Sequence, residues 1–221
     1  MAEIDTTGPA RVPIALAAAM TVAAGSVGWL TDRAAIHADW PFPSTGYLVG
    51  ELVWKAWTFV VLAWILRRRA ETLGTRSLGL KSDPAQPRHR YPILLAVLVA
   101  AGAIALSTTI GSSATSARSF GPSHHVGLAL ALAELLVRYP LTVFVEEAFF
   151  RGWMQPRLGP NGPVLSALLW GVYHLQQIKT IPSIVVLGLG LGLVRWWTRN
   201  VRLTGLVHFA SNAAFFVSNY L

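Results

Sequence analysis

Cysteine is absent from the 221-residue chain, so disulfides, thiol nucleophiles and thiolate metal sites are excluded. Charge is scarce. Asp, Glu, Lys and Arg make up 13% of the residues, against about 25% in a soluble domain. Aspartate is rarer still, and its four positions, Asp5, Asp32, Asp39 and Asp83, fall in no predicted helix. A pair of intramembrane aspartates is therefore not available as a catalytic dyad. No HExxH occurs, which excludes a zincin helix. Ser166 and Ser211 lie in no GxSxG-like elbow. Internal repeats and low-complexity tracts are also missing.

What is present is apolar. Hydrophobic residues make up 53% of the chain, and they gather into seven runs: 12–30, 47–66, 91–110, 126–145, 163–178, 183–197 and 201–220. A spanning helix needs about 20 such residues. This much apolar run excludes a soluble domain, a coiled coil and a disordered chain. The expected fold is all-α: a single polytopic membrane domain over residues 1–221, with about seven transmembrane helices (six or eight as alternatives). The first run is expected to stay as a helix rather than be cleaved as a signal, because Glu3 and Asp5 precede it with only Arg11 for balance. The segment between Leu66 and Tyr91 is polar, broken by Pro84 and Pro87, and reads as a linker.

The net charge of +8 does not indicate nucleic acid, because the basic residues lie mainly between apolar runs, where they set membrane orientation. With the linker inside, thirteen of the eighteen Lys and Arg fall on the inner side. Arg33, Arg118 and Lys179 fall outside, and Lys55 and Arg138 lie within helices. The expected location is the cell membrane, with the N-terminus and the catalytic opening cytoplasmic.

Ionisable groups inside a membrane helix cost about 2.5–3.5 kcal/mol each on insertion scales, so each calls for a reason. Glu51 and Lys55, like Glu134 and Arg138, are four residues apart and meet on one helix face as structural ion pairs. Pro140 is expected to kink the fourth helix. Beyond it, VEEAFFRGWMQPRL places Glu146, Glu147 and Arg151 at that helix's inner end. Glu147 and Arg151 are four apart and can pair, whereas Glu146 has no such local cation. A solvated helix end is the bland alternative, although Phe149, Phe150 and Trp153 do not suit it.

His174 lies in LSALLWGVYHL, and His208 with Asn212 lies in LVHFASNAAFF. One intramembrane histidine alone is ordinarily an interhelical hydrogen-bonder. Here Glu146, His174, His208 and Asn212 recur across neighbouring helices, with the Glu147–Arg151 pair beside them. His124 and His125 sit in an outer loop and look ordinary. A free carboxylate with a neutral imidazole suits activation of water. An imidazole and an amide four residues apart suit an oxyanion. Non-covalent hydrolysis of an amide is the reaction that these groups fit best.

EEAFFR as E-E-x-x-x-R, then WGVYH, then HFASN as H-x-x-x-N, resembles the CPBP family of intramembrane proteases, the type II CAAX prenyl endopeptidases, also called the ABI family. The likeness covers a catalytic core at residues 141–212, and RSLGLK at 76–81 resembles the family's lead-in to a membrane helix. The resemblance implies that Glu146 activates water with His174 as its partner. It makes Glu147 and Arg151 supporting residues, and His208 and Asn212 the oxyanion pair. One departure is Trp170, where the family usually has Phe; it is expected to bear on cavity shape. The resemblance allows a metal-free, glutamate-dependent mechanism, which is the expectation here, or a zinc site on Glu146, His174 and His208.

The expected substrate is a membrane-tethered or lipidated peptide met among membrane lipids, with no nucleic acid partner. A non-catalytic immunity or scaffold protein of the same family is the alternative. Alternating Gly188, Gly190 and Gly192 suit either close approach of a substrate backbone or tight helix packing.

Overall fold

A computed structural model of the chain describes residues 11–37, 45–69, 94, 98, 99, 101, 102, 105 and 127–220. The N-terminal acids, the greater part of the linker with its RSLGLK segment, most of the run 91–110, and His124 and His125 lie outside the described residues.

Every described element is helical: α1 (Ile14–His37), α2 (Thr45–Arg68), α3 (Leu128–Arg157), α4 (Gly162–Tyr173), α5 (Ile181–Thr198) and α6 (Val201–Tyr220). Residues 94, 98, 99, 101, 102 and 105 are helical as well. Four of these helices, α1, α2, α3 and α5, are long and apolar enough to cross a membrane. Their outward faces carry Trp29, Val60, Trp64, Val186 and Trp197 in the open, as lipid-facing helices require.

α3 differs from the expected run in a way that matters for the site. The run was expected to end at Val145, leaving Glu146 near a helix terminus. The helix instead continues to Arg157, passing through two π-helical stretches, Glu134–Arg138 and Glu147–Met154. Pro140 has no N–H to offer the Leu136 carbonyl, and the first wide turn ends just before it. The proline therefore leads to a π turn within a continuing helix. Glu146 thus lies 11 residues inside the end of α3, about 16 Å in depth.

α4 is shorter than its run. It ends at Tyr173, with His174 at its C-cap (φ −104°, ψ 27°). A 3-10 stretch then covers Leu175–Thr180 with Gln177 off helical geometry. The polar sequence QQIKT and the following Pro182 do not extend an apolar helix. At 12 residues, α4 reaches about 18 Å, little more than half a bilayer core. His174, 11 residues beyond Pro163, therefore ends at a depth that matches Glu146.

Packing brings these two depths together. α1 lies on both α2 and α4, and α4 packs along α5. Gly28 leaves room for the Trp54 ring, and Trp54 Nε1 donates to the Ala24 carbonyl at 3.1 Å. A Cβ at Gly188 would stand 2.7 Å from the Trp170 ring, and one at Gly192 would stand 3.2 Å from Pro163. Gly188 and Gly192 therefore serve the α4–α5 contact, whereas a Cβ at Gly190 would stand 2.8 Å from Val99. At the far end of α5, Arg199 takes a left-handed conformation (φ 48°). Asn200 then caps α6 by accepting from the Arg202 and Leu203 N–H groups at 3.0 and 3.3 Å. One expectation fails outright: Asp32, placed outside any helix by its sequence, is buried within α1.

Candidate active site

The fully buried Trp54, Phe149, Phe150, Trp153 and Tyr173 form an aromatic centre between α2, α3 and α4. Glu146 enters it from α3 with 1% of its surface exposed. The carboxylate is not free. Its Oε1 accepts from Lys55 Nζ of α2 at 2.7 Å, and its Oε2 accepts from Trp170 Nε1 of α4 at 2.8 Å. The cation that the sequence did not supply nearby thus arrives from a helix 91 residues earlier.

Lys55 is also engaged elsewhere. Its ammonium stands 3.2 Å from the Trp54 ring centroid and donates to the Tyr173 hydroxyl at 3.3 Å. Thr58 Oγ1 lies 2.8 Å from the same hydroxyl. The expected partner, Glu51, is 4.0 Å away and also faces Arg138 at 3.8 Å. Arg138 in turn pairs with Glu134. The two ion pairs expected to be separate are therefore one buried chain of alternating charge, Glu134–Arg138–Glu51–Lys55–Glu146. An isolated buried charge is costly, and alternation leaves none unpaired.

His174 faces Glu146 from the end of α4, with Nε2 3.8 Å from Oε1. Its Nδ1 lies 2.9 Å from the Trp170 carbonyl. A carbonyl can only accept, so Nδ1 carries the hydrogen, and in the neutral ring Nε2 presents a lone pair. The gap between Oε1 and Nε2 thus has an acceptor on each side.

Glu147 turns to the other side. Its Oε1 pairs with Arg151 Nη1 at 3.4 Å and lies 3.0 Å from His208 Nδ1 of α6. The expected Glu147–Arg151 pair is therefore present, inside the second π-helical stretch rather than at a solvated end. π turns concentrate at functional sites. Arg151 also donates to the Gly188 carbonyl at 3.3 Å and lies 4.3 Å from the Trp170 ring centroid.

Trp170 is the hub of the arrangement. Its ring meets His174 edge-on at 5.3 Å and His208 at 5.2 Å, between centroids. Its N–H holds Glu146, and Arg151 rests on its face. The sequence suggested a role in cavity shape alone; in the fold it supplies a hydrogen bond that phenylalanine lacks. Asn212, one turn beyond His208, is half-buried, and its side chain makes no hydrogen bond among the described residues. The structure therefore joins Glu146 with His174, and Glu147 with Arg151 and His208, through Trp170, while Asn212 stands apart from these contacts.

Lys55, Thr58 and Tyr173 were not identified as site residues from the sequence. The tyrosine next to His174 and the tryptophan four residues before it carried a signal, since both have polar hydrogens that need partners in an apolar helix. Of the zinc set Glu146, His174 and His208, the last has its Nδ1 on Glu147, and among the described residues no three His, Asp or Glu side chains form a metal-holding group.

Comparison with known families matches residues 128–214 to the model described as type II CAAX prenyl endopeptidase Rce1-like. No curated protein and no solved structure matches the chain. The matched stretch begins with α3 and includes Glu146, Trp170, His174, His208 and Asn212. α1 and α2, with Lys55, precede it.

Proposed function

Because residues 128–214 belong to the Rce1-like family of type II CAAX prenyl endopeptidases, a family of membrane proteases, we propose that this multi-pass protein is an intramembrane endopeptidase. Its substrates are membrane-tethered or lipidated, CAAX-like peptides. The observation that carries the reading is the 3.8 Å gap between Glu146 Oε1 and His174 Nε2. A water can donate one hydrogen to each acceptor at ordinary hydrogen-bond lengths of about 2.8 Å. Its oxygen lone pair is then free to attack.

In this mechanism the water oxygen forms a bond to the scissile carbonyl carbon as its proton passes to Glu146. The carbonyl oxygen becomes an oxyanion, stabilised by His208 and Asn212. For this His208 carries protons on both ring nitrogens, one toward Glu147 and one toward the oxyanion. Collapse of the intermediate breaks the C–N bond, and the proton held by Glu146 passes to the leaving amine. No metal takes part: the Lys55 ammonium supplies the positive charge beside the carboxylate. Glu147 and Arg151 hold His208 and Trp170 in place.

A lipid tail favours entry of the substrate, since each buried CH₂ contributes about 0.8 kcal/mol. The peptide reaches the site from the cytoplasmic face. The bundle lies in the cell membrane with its N-terminus in the cytoplasm.

The test is cleavage of a library of lipidated peptides by purified protein. Wild type should cut, whereas Glu146→Gln and His174→Ala, folded by size exclusion and thermal melting, should be slower by about 10²–10⁴-fold. Undiminished cleavage by Glu146→Gln would overturn the assignment. No cleavage by wild type would favour an immunity or scaffold role.

A further inference from the structure

Lys55 is fully buried in a helix long and apolar enough to cross a membrane, and the hydrolytic chemistry does not consume it. Neutralising Glu51 alone would not explain its geometry, because the ammonium lies 2.7 Å from Glu146 and 4.0 Å from Glu51. Its surroundings are built to hold one position. The Trp54 face lies on one side at 3.2 Å, and the Tyr173 hydroxyl accepts a second hydrogen bond from the ammonium and is itself fixed by Thr58. Tyr173 immediately precedes His174, and its ring stacks on Trp54 at 4.6 Å. The cradle of Lys55 is therefore continuous with the backbone that aims His174.

We infer that Lys55 is a positioning residue for Glu146: with Trp170 on the opposite oxygen, its ammonium fixes the carboxylate in the rotamer that faces His174. The inference rests on the proposed role of Glu146, and it makes α2, outside the family match, part of the active site. Two donors, one per oxygen, remove the carboxylate's freedom to turn about its last bond. Each oxygen keeps a lone pair, so the water site toward His174 stays open.

Without Lys55 only the indole restrains the carboxylate. Turnover should fall while substrate binding is kept, because no contact between Lys55 and the peptide is invoked. Lys55→Met, assayed on folded protein, should lower kcat about 10–100-fold, the range for supporting partners of active-site ligands. KM should stay within about threefold of wild type.

The absence of cysteine permits a sharper experiment. In Lys55→Cys protein the added thiol is the only one, and labelling can be confirmed by intact mass. Alkylation with 2-bromoethylamine restores an ammonium at nearly the lysine reach, whereas iodoacetamide adds neutral bulk. Recovery of kcat with the amine reagent alone supports the inference. Equal recovery with both reagents, recovery with neither, or a wild-type kcat in Lys55→Met overturns it. Should Lys55→Met fail to fold, Tyr173→Phe keeps every charge and removes only the hydroxyl under Lys55. A lowered kcat at unchanged KM supports the inference, and a wild-type kcat overturns it. These results stand apart from the proposed activity, which fails only if wild type does not cleave or if Glu146→Gln cleaves normally.

Discussion

Trp170 donates its indole hydrogen to Glu146 Oε2 at 2.8 Å while its backbone carbonyl receives the Nδ1 hydrogen of His174 at 2.9 Å. One residue therefore orients both groups proposed to hold the water, the carboxylate through its side chain and the imidazole through its main chain. The ring cannot turn away, because Arg151 rests on one face and Gly188 of α5 leaves no free space beside it.

Trp170→Phe keeps the main-chain contact and most of the ring while deleting the N–H. A hydrogen bond to a charged group contributes about 1.5–3 kcal/mol, so kcat should drop roughly 10- to 100-fold. The melting temperature should change little, since phenylalanine fills most of the same space. Steady-state kinetics on the lipidated substrate, with a thermal melt of the same sample, checks this. An unchanged kcat would remove the indole from the mechanism.

Glu147 and Arg151 are both buried, and their partnership extends to His208. Glu147→Gln or Arg151→Met should each destabilise the fold by about 3–5 kcal/mol, because each strands the other's charge. The double variant Glu147→Gln/Arg151→Met should lose less than the two single losses added together. Chemical unfolding in detergent, read by tryptophan fluorescence, measures this; full additivity would mean that the two charges are not coupled.

Chelation separates the two mechanisms weighed from the sequence. If water is activated by Glu146 and His174 alone, extended dialysis against EDTA or 1,10-phenanthroline leaves the rate unchanged. Loss of activity, restored by one equivalent of Zn²⁺, would instead make the histidines ligands.

The orientation can be read by single-cysteine labelling, for which the natural chain is already suited. Arg76→Cys, in the basic linker, should react with a membrane-impermeant maleimide in inverted vesicles and not in intact cells. The reverse pattern would place the N-terminus outside.

The helices were legible because apolar length is a local property. The runs 47–66 and 183–197 became Thr45–Arg68 and Ile181–Thr198. The course of α3 past Glu146 was not, because charged residues at 146, 147 and 151 read as an exit from the membrane when their partners are unknown. Lys55 was hidden for a related reason: Glu51, four residues away, already explained it, so nothing in the pattern called for a partner on another helix. Glu147–Arg151 was visible because both members lie on one turn. Trp170 was visible as a departure from phenylalanine, but its purpose depends on Glu146, 24 residues earlier in the chain and on a different helix.

The loose Glu51–Lys55 contact has a meaning in time as well as in space. When α2 leaves the ribosome, Glu146 has yet to be made, and at roughly 5–20 residues per second the 91 intervening residues take about 5–20 s. During that interval Glu51 is the only acid on α2, one turn from Lys55. A pair four residues apart offsets the Lys55 charge within α2 itself. Once α3 arrives, Lys55 takes the closer carboxylate of Glu146, and Glu51 remains within reach of Arg138. In the finished fold Lys55 stands 2.7 Å from Glu146 and 4.0 Å from Glu51, so the partner on its own helix is the looser of the two.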